Sequence, residues 1–273
     1  MKPLRISGAT WCVAGISLWF WICAGLIAMC RPFWFDELIT WHVARLPTIA
    51  AIWSALRAGV DQNLLLSHLC VRLSHAVFGY SHLATRLPAL AGFWIMLAGI
   101  YLFLKRRLPT PYALIGMVFP MLTYAWAYAF EARSYGIMLG GAGIALASWQ
   151  AAAEGRHRLI SLIGIAVGLS AALASHYTAV LLAVPFTLGE GVRSFDRRKL
   201  DLSMWIAFAA AAPVTLIYPG LLAATRDWAL GGLQPDATSV SGFYSAALRR
   251  VSVIFGSNTR SSSALEPAPR PRP

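Results

Sequence analysis

Residues 63–79 read NLLLSHLCVRLSHAVFG. The stretch is apolar enough to pass for a membrane span, yet it holds His68, Arg72 and His75, with Asp61 just ahead of it. Counted from Asp61, these residues follow at steps of seven, four and three, so they share one helical stripe while Leu, Val and Phe cover the other faces. An arginine and two histidines in mid-membrane are costly. A helix lying in the interface avoids that cost. The choice decides the side of all that follows. If 63–79 lies flat, Lys105-Arg106-Arg107 and every later basic cluster fall on the side of Lys2 and Arg5; if it spans, Lys105-Arg106-Arg107 falls on the opposite side. The positive-inside bias favours the flat reading, with His68, Arg72 and His75 as the wet face of an interfacial helix.

Working outward, the 273 residues are 58% apolar and 12% charged, with a mean hydropathy of +0.61. Such a chain is a polytopic membrane protein. The net charge of +12 is no nucleic-acid signal, because the basic residues sit in short clusters between apolar runs. The first run, 9–29, exceeds a signal-peptide core of ~7–15 residues and is read as a retained span. Further runs cover 87–104, 112–130, 135–153, 159–188 and 202–222. The thirty residues of 159–188 would make one helix of about 45 Å. Basic clusters flank both ends, so the run is read as two short spans joined by a recessed outer turn at Ser175-His176-Tyr177. The prediction is all-α: a membrane helix bundle of about seven transmembrane helices, with an interfacial helix in a first outer loop at 31–86. This module, 1–222, leads into an outer, disordered Pro/Ser/Arg-rich tail at 223–273. Gly140, Gly141 and Gly143 fall inside a span and predict close helix packing. Cys12 and Cys23 read as inert packing residues, and no Cys30–Cys70 disulfide is expected.

This threading gathers Asp36, Glu37, Asp61 and Glu131 outside, with Arg133, His176, Tyr177, Trp34, Trp41, Tyr124, Trp126 and Tyr128. Each has a bland reading beside a functional one. Asp36-Glu37 either solvates a helix exit or supplies a base or metal ligand at the membrane surface. Glu131 and Arg133 form a local ion pair capping the next helix, or a second carboxylate with a phosphate-binding guanidinium. His176 with Tyr177 is a buried hydrogen-bonder or a lipid-phosphate contact. The aromatics read as a membrane belt, with Trp34 or Trp41 as the alternative of a stacking platform for a sugar. There is no glycine-rich phosphate loop, no Asp-x-Asp pair, and no Ser-His-Asp or zinc spacing.

The order FDEL (35–38), DQN (61–63), RLPALAG (86–92), KRR (105–107), FEARSYG (130–136) and SHYTA (175–179) resembles one family over 33–188. It is that of the bacterial polyprenyl-phosphate-sugar glycosyltransferases of the GT-C superfamily, integral-membrane relatives of the protein mannosyltransferases and of the lipid A aminoarabinose transferase. The resemblance implies a multi-pass protein of the bacterial inner or plasma membrane. It implies inverting transfer of a sugar from a polyprenyl-phosphate donor to a glycan, lipid or protein acceptor at the outer face. Asp36 would be the base, with Glu37 adjacent and Glu131 the second acid. Arg133, His176 and Tyr177 would hold the donor phosphate. No metal ligand is assigned, although some relatives use a divalent ion. Two departures stand out: Leu64-Leu65 replaces the proline pair usual after DQN, and relatives are longer, which makes a truncated chain without its acceptor site an expectation. The competing expectations are a non-catalytic remnant of such an enzyme, and a lipid or sugar transporter, which would bury its ionisable groups at the midplane.

Overall fold

The computed structural model describes residues 7–224. Among them the chain is helical throughout, without a strand: α1 (Gly8–Cys30), α2 (Phe35–Ala44), α3 (Ile49–Arg57), α4 (Leu65–Phe78), α5 (His82–Leu104), α6 (Thr110–Val118), α7 (Tyr135–Ala153), α8 (Arg158–Ser175), α9 (Ala183–Asp196) and α10 (Leu202–Ala209). Short 3-10 turns fill 119–129, 177–182 and 212–217. Five helical stretches are long and apolar enough to cross a membrane: α1, α5, α7, α8 and the rod Leu202–Ala224 that α10 begins. The chain is an all-α membrane protein. All but the first two residues of the expected tail, 223–273, lie outside the described residues, as do Lys2 and Arg5.

Side-chain pairs sort the helix ends onto two faces. On one, Arg106 meets Glu154 at 3.1 Å, Arg158 meets Asp201 at 2.5 Å, and Arg193 bridges Glu190 and Asp201 at 2.5 and 2.8 Å. The basic clusters after α5, before α8 and at the end of α9 therefore share this basic face. On the other face the end of α1 and the starts of α2, α5 and α7 meet through Arg86 and Glu37. Between these faces 110–130 and 177–196 also pass, but as the short helices α6 and α9 extended by 3-10 turns, α6 ending well before the span expected at 112–130. Pro120 and the 3-10 turn at Tyr124–Ala129 explain this shortening.

α4 settles the reading of 63–79. At fourteen residues it is about 21 Å long, short of a crossing. It starts with Leu64 N–H donating to Ser175 O, at the end of α8 (3.1 Å). It finishes with Ser74 Oγ donating to Ala84 O (2.5 Å) and His75 Nε2 against Thr85 Oγ1 (2.9 Å), in the first turn of α5. Both ends stay on one face, so α4 lies across the bundle. Pro88 makes the second contact available: lacking an N–H, it leaves Ala84 O without its helical donor, and Ser74 supplies one.

The polar stripe of α4, however, points inward. Ser67, His68, Ser74 and His75 are buried, His68 completely, whereas Leu73, Val77 and Phe78 are more than 60% exposed. The wet-face reading of the two histidines is thus reversed: a membrane-surface helix turns its apolar side to lipid and its polar side to protein partners. Arg72 is spent on the carbonyls of Ala44, Leu46 and Pro47, closing the end of α2.

The spans pack through glycine. A Cβ on Gly92 would stand 2.3 Å from Gly136 O, and one on Gly141 2.5 Å from Gly168 O, so α5, α7 and α8 touch backbone to backbone. Gly140 and Gly143 sit at the same seam, as expected. Trp126 is not in a surface belt. It packs on Phe20, Phe93 and Phe130 at centroid distances of 5.7, 6.0 and 5.7 Å, in a core shared by α1, α5 and α6. The four cysteines are free.

Candidate functional site

The face opposite the basic clusters is organised by one buried ion pair. Glu37 and Arg86 are both fully buried. Arg86 donates to Glu37 Oε1 through Nε (2.7 Å) and to Oε2 through Nη2 (2.6 Å). Its remaining donors reach Ala28 O, Arg31 O and Pro32 O at 2.7, 2.6 and 3.1 Å. Glu37 also accepts from Ala132 N–H (2.7 Å) and Trp34 N–H (3.3 Å). A carboxylate at the third position of α2 is already favoured by the helix dipole. With every lone pair matched and no solvent contact, Glu37 cannot reach a substrate; its role here is to lock four chain segments together, although the sequence placed it among the catalytic candidates.

Asp36, one residue earlier on α2, points the other way. Its side chain is 32% exposed and its Oδ2 lies 3.4 Å from Arg133 Nη1. The same Nη1 lies 3.4 Å from Asp61 Oδ1. Asp61 is buried in the turn before α4, where it accepts from Asn63 N–H (3.1 Å), Asn63 Nδ2 (2.9 Å) and Thr40 Oγ1 (3.4 Å). His68 Nε2 stands 3.3 Å from Asp61 Oδ2, at ion-pair distance but without hydrogen-bond alignment. Asn63 Oδ1 in turn accepts from Ser134 Oγ (2.7 Å) and Ser134 N–H (3.3 Å), tying the DQN turn to the FEARSYG loop.

Burial pushes the Asp36 carboxyl above its ordinary 3.8; Arg133 opposes that rise and Asp61 adds to it. Asp61 sits below its ordinary value: burial would raise it, and His68, Arg133 and the Asn63 N–H more than offset that. Glu131, its side chain 14% exposed, is raised chiefly by burial and meets Arg31 at 3.8 Å. Burial and the nearby Arg133 bring His176 down to about 4, so it is a neutral ring at pH 7. Its Nδ1 accepts from Thr178 N–H (3.2 Å), which puts the ring proton on Nε2. His176 stacks on Tyr177 and packs against Tyr135, at centroid distances of 4.5 and 5.0 Å.

Of the residues singled out from sequence, Asp36, Glu131, Arg133, His176 and Tyr177 come together at this face, while Glu37 is drawn into the framework. Asp61 was gathered at this face from sequence but given no role, and Arg86 and Asn63, read only within the RLPALAG and DQN motifs, were missed as parts of the site. The signal for Arg86 was an arginine at the start of an apolar run, which demands a buried partner. Among the described residues no group of three His, Cys, Asp or Glu side chains is placed to hold a metal ion, and Arg133 occupies the position between Asp36 and Asp61 that a bridging divalent ion would need. An apolar cavity of about 420 Å³ runs between α8, the 177–182 turn, α9 and α10, lined by Leu173, Ala179, Phe186, Trp205 and Phe208 among others.

No family model, curated protein or solved structure matches this chain.

Proposed function

We propose that this protein is a membrane glycosyltransferase that moves a sugar from a polyprenyl-phosphate donor to an acceptor hydroxyl at the face bearing Asp36, with inversion at the anomeric carbon. The observation that carries the reading is the pairing of a half-exposed carboxylate, raised by burial, with a shared guanidinium at 3.4 Å. In the step envisaged, Asp36 takes the proton of the acceptor hydroxyl as its oxygen attacks the anomeric carbon. The bond from that carbon to the phosphate oxygen breaks and its electron pair leaves with the phosphate. Arg133, whose Nε is buried without a hydrogen-bond partner, and the Nε2–H of His176 would stabilise the charge that develops there. The apolar cavity between α8, α9 and α10 suits an isoprenoid chain by its chemistry. The basic clusters on the opposite face favour a bacterial inner or plasma membrane orientation with the site outside.

The test is transfer from a polyprenyl-phosphate sugar by full-length protein in nanodiscs. Asp36→Asn keeps the shape and removes the base, so the rate falls by about 10²–10⁴ while the protein inserts normally. Undiminished transfer refutes Asp36 as the base, and lipid-linked sugar crossing the bilayer without transfer would make the protein a transporter.

A further inference from the structure

One cation serves two carboxylates at this site. Arg133 Nη1 is 3.4 Å from the accessible Asp36 and 3.4 Å from the buried Asp61. Asp61 cannot itself meet a substrate. It is 8% exposed and enclosed by Asn63, Thr40, His68 and Arg133. A buried carboxylate is costly, and packing alone is served as well by an apolar side chain of similar size. The fold nonetheless surrounds this one with Asn63, Thr40, His68 and Arg133, the last of which reaches on to Asp36.

We infer that Asp61 is a positioning residue for the transfer proposed above: it holds Arg133 from behind, so that the guanidinium stays beside Asp36 without closing a full ion pair on it, and Asp36 is left able to accept a proton. The inference rests on that reading of Asp36. The other charged or titratable groups facing the trio are His68 from α4, His176 at the end of α8, and Glu131 with Arg31 from the loop before α7 and the end of α1. None of them touches both carboxylates. Removing the Asp61 charge has two effects of the same sign on Asp36. A like charge that disfavours its ionised form is lost, and Arg133 is freed to pair with it fully. Asp36 becomes a weaker base.

The experiment compares wild type with Asp61→Asn, full-length in nanodiscs, by two readouts. Modification of Asp36 by a water-soluble carbodiimide, followed by mass spectrometry without any sugar present, reports where the carboxyl loses its proton. Its midpoint is expected at lower pH in the variant. Transfer from the polyprenyl-phosphate donor is expected to show its acid limb moved the same way, with the plateau about tenfold lower. Asp61→Ala, which offers no misplaced amide to Asn63 and His68, should move the midpoint in the same direction. An unchanged or raised midpoint in both variants overturns the inference. So does failure of both to insert, which would make Asp61 a structural residue only. Wild-type protein without any transfer would refute the enzyme reading, while the labelling midpoint still decides the role of Asp61.

Discussion

Replacing Arg86 by Leu should cost this protein a large part of its stability. Arg86 is fully buried and donates five hydrogen bonds: two to Glu37, and one each to the carbonyls of Ala28, Arg31 and Pro32. Without it, Glu37 remains buried with only the N–H groups of Ala132 and Trp34. Breaking one side of such a pair costs about 3–5 kcal/mol, against roughly 5–15 kcal/mol for a whole domain. Glu37→Leu should cost a similar amount, since it strands the guanidinium. The informative variant is the double one. With both charges gone, no buried charge is left uncompensated, and what remains lost is the donor of three carbonyls and the acceptor of the Ala132 and Trp34 N–H groups, each of which one of the single variants already loses. The double variant should therefore be far more stable than the sum of the singles implies. The assay is denaturant titration of purified protein in mixed micelles, monitored through its tryptophans, with a double-mutant cycle. Single substitutions costing under about 1 kcal/mol, or a strictly additive double, would refute the account of Glu37 as a buried partner and restore it as a candidate acid.

Three further outcomes follow from the same geometry. The transfer rate should rise with pH through an acid limb centred above the ordinary aspartate value of 3.8, because the base must be ionised and burial raises its pKa; a limb at or below that value contradicts the site. No limb near 6.5 should come from His176, which titrates near about 4; an imidazole transition near 6.5 that disappears in His176→Asn would contradict its burial. Gly92→Ala drives a methyl to 2.3 Å from Gly136 O and should cost about 1–3 kcal/mol in the titration, whereas Gly25→Ala meets nothing within 4 Å and should be neutral; equal effects would refute the backbone seam between α5 and α7.

The sequence carried the all-α membrane class through its long uncharged runs, and the shared face of the basic clusters through their spacing between those runs, because both are one-dimensional properties of composition. The flat placement of 63–79 was legible from the cost of Arg72, His68 and His75 in lipid. The direction of that stripe was not. Periodicity shows that residues share a face, never which neighbour the face meets, so the burial of His68 needed α5 and α8 in place. Asp36, Glu131, Arg133 and His176 were read as sharing one face, and they come together, but Asp36 and Glu37 read alike as adjacent acids. A helix turns consecutive side chains about 100° apart, and only the position of Arg86 decided which of the two would be locked away. Asp61 and Asn63 were legible as a short polar turn, while their grip on Arg133 and Ser134 depends on contacts seventy or more residues away in the chain.

At the centre stands the claim that the acids and the basic clusters occupy opposite faces. It is tested most directly by single cysteines in a background with Cys12, Cys23, Cys30 and Cys70 replaced by serine, labelled from one side of sealed membranes with an impermeant maleimide. Gln62→Cys, exposed at the acidic face, should react from one side, and Arg107→Cys and His157→Cys only from the other. Labelling of Gln62→Cys and Arg107→Cys from the same side would mean that 63–79 crosses the membrane, and the site built from Asp36, Asp61 and Arg133 would not exist.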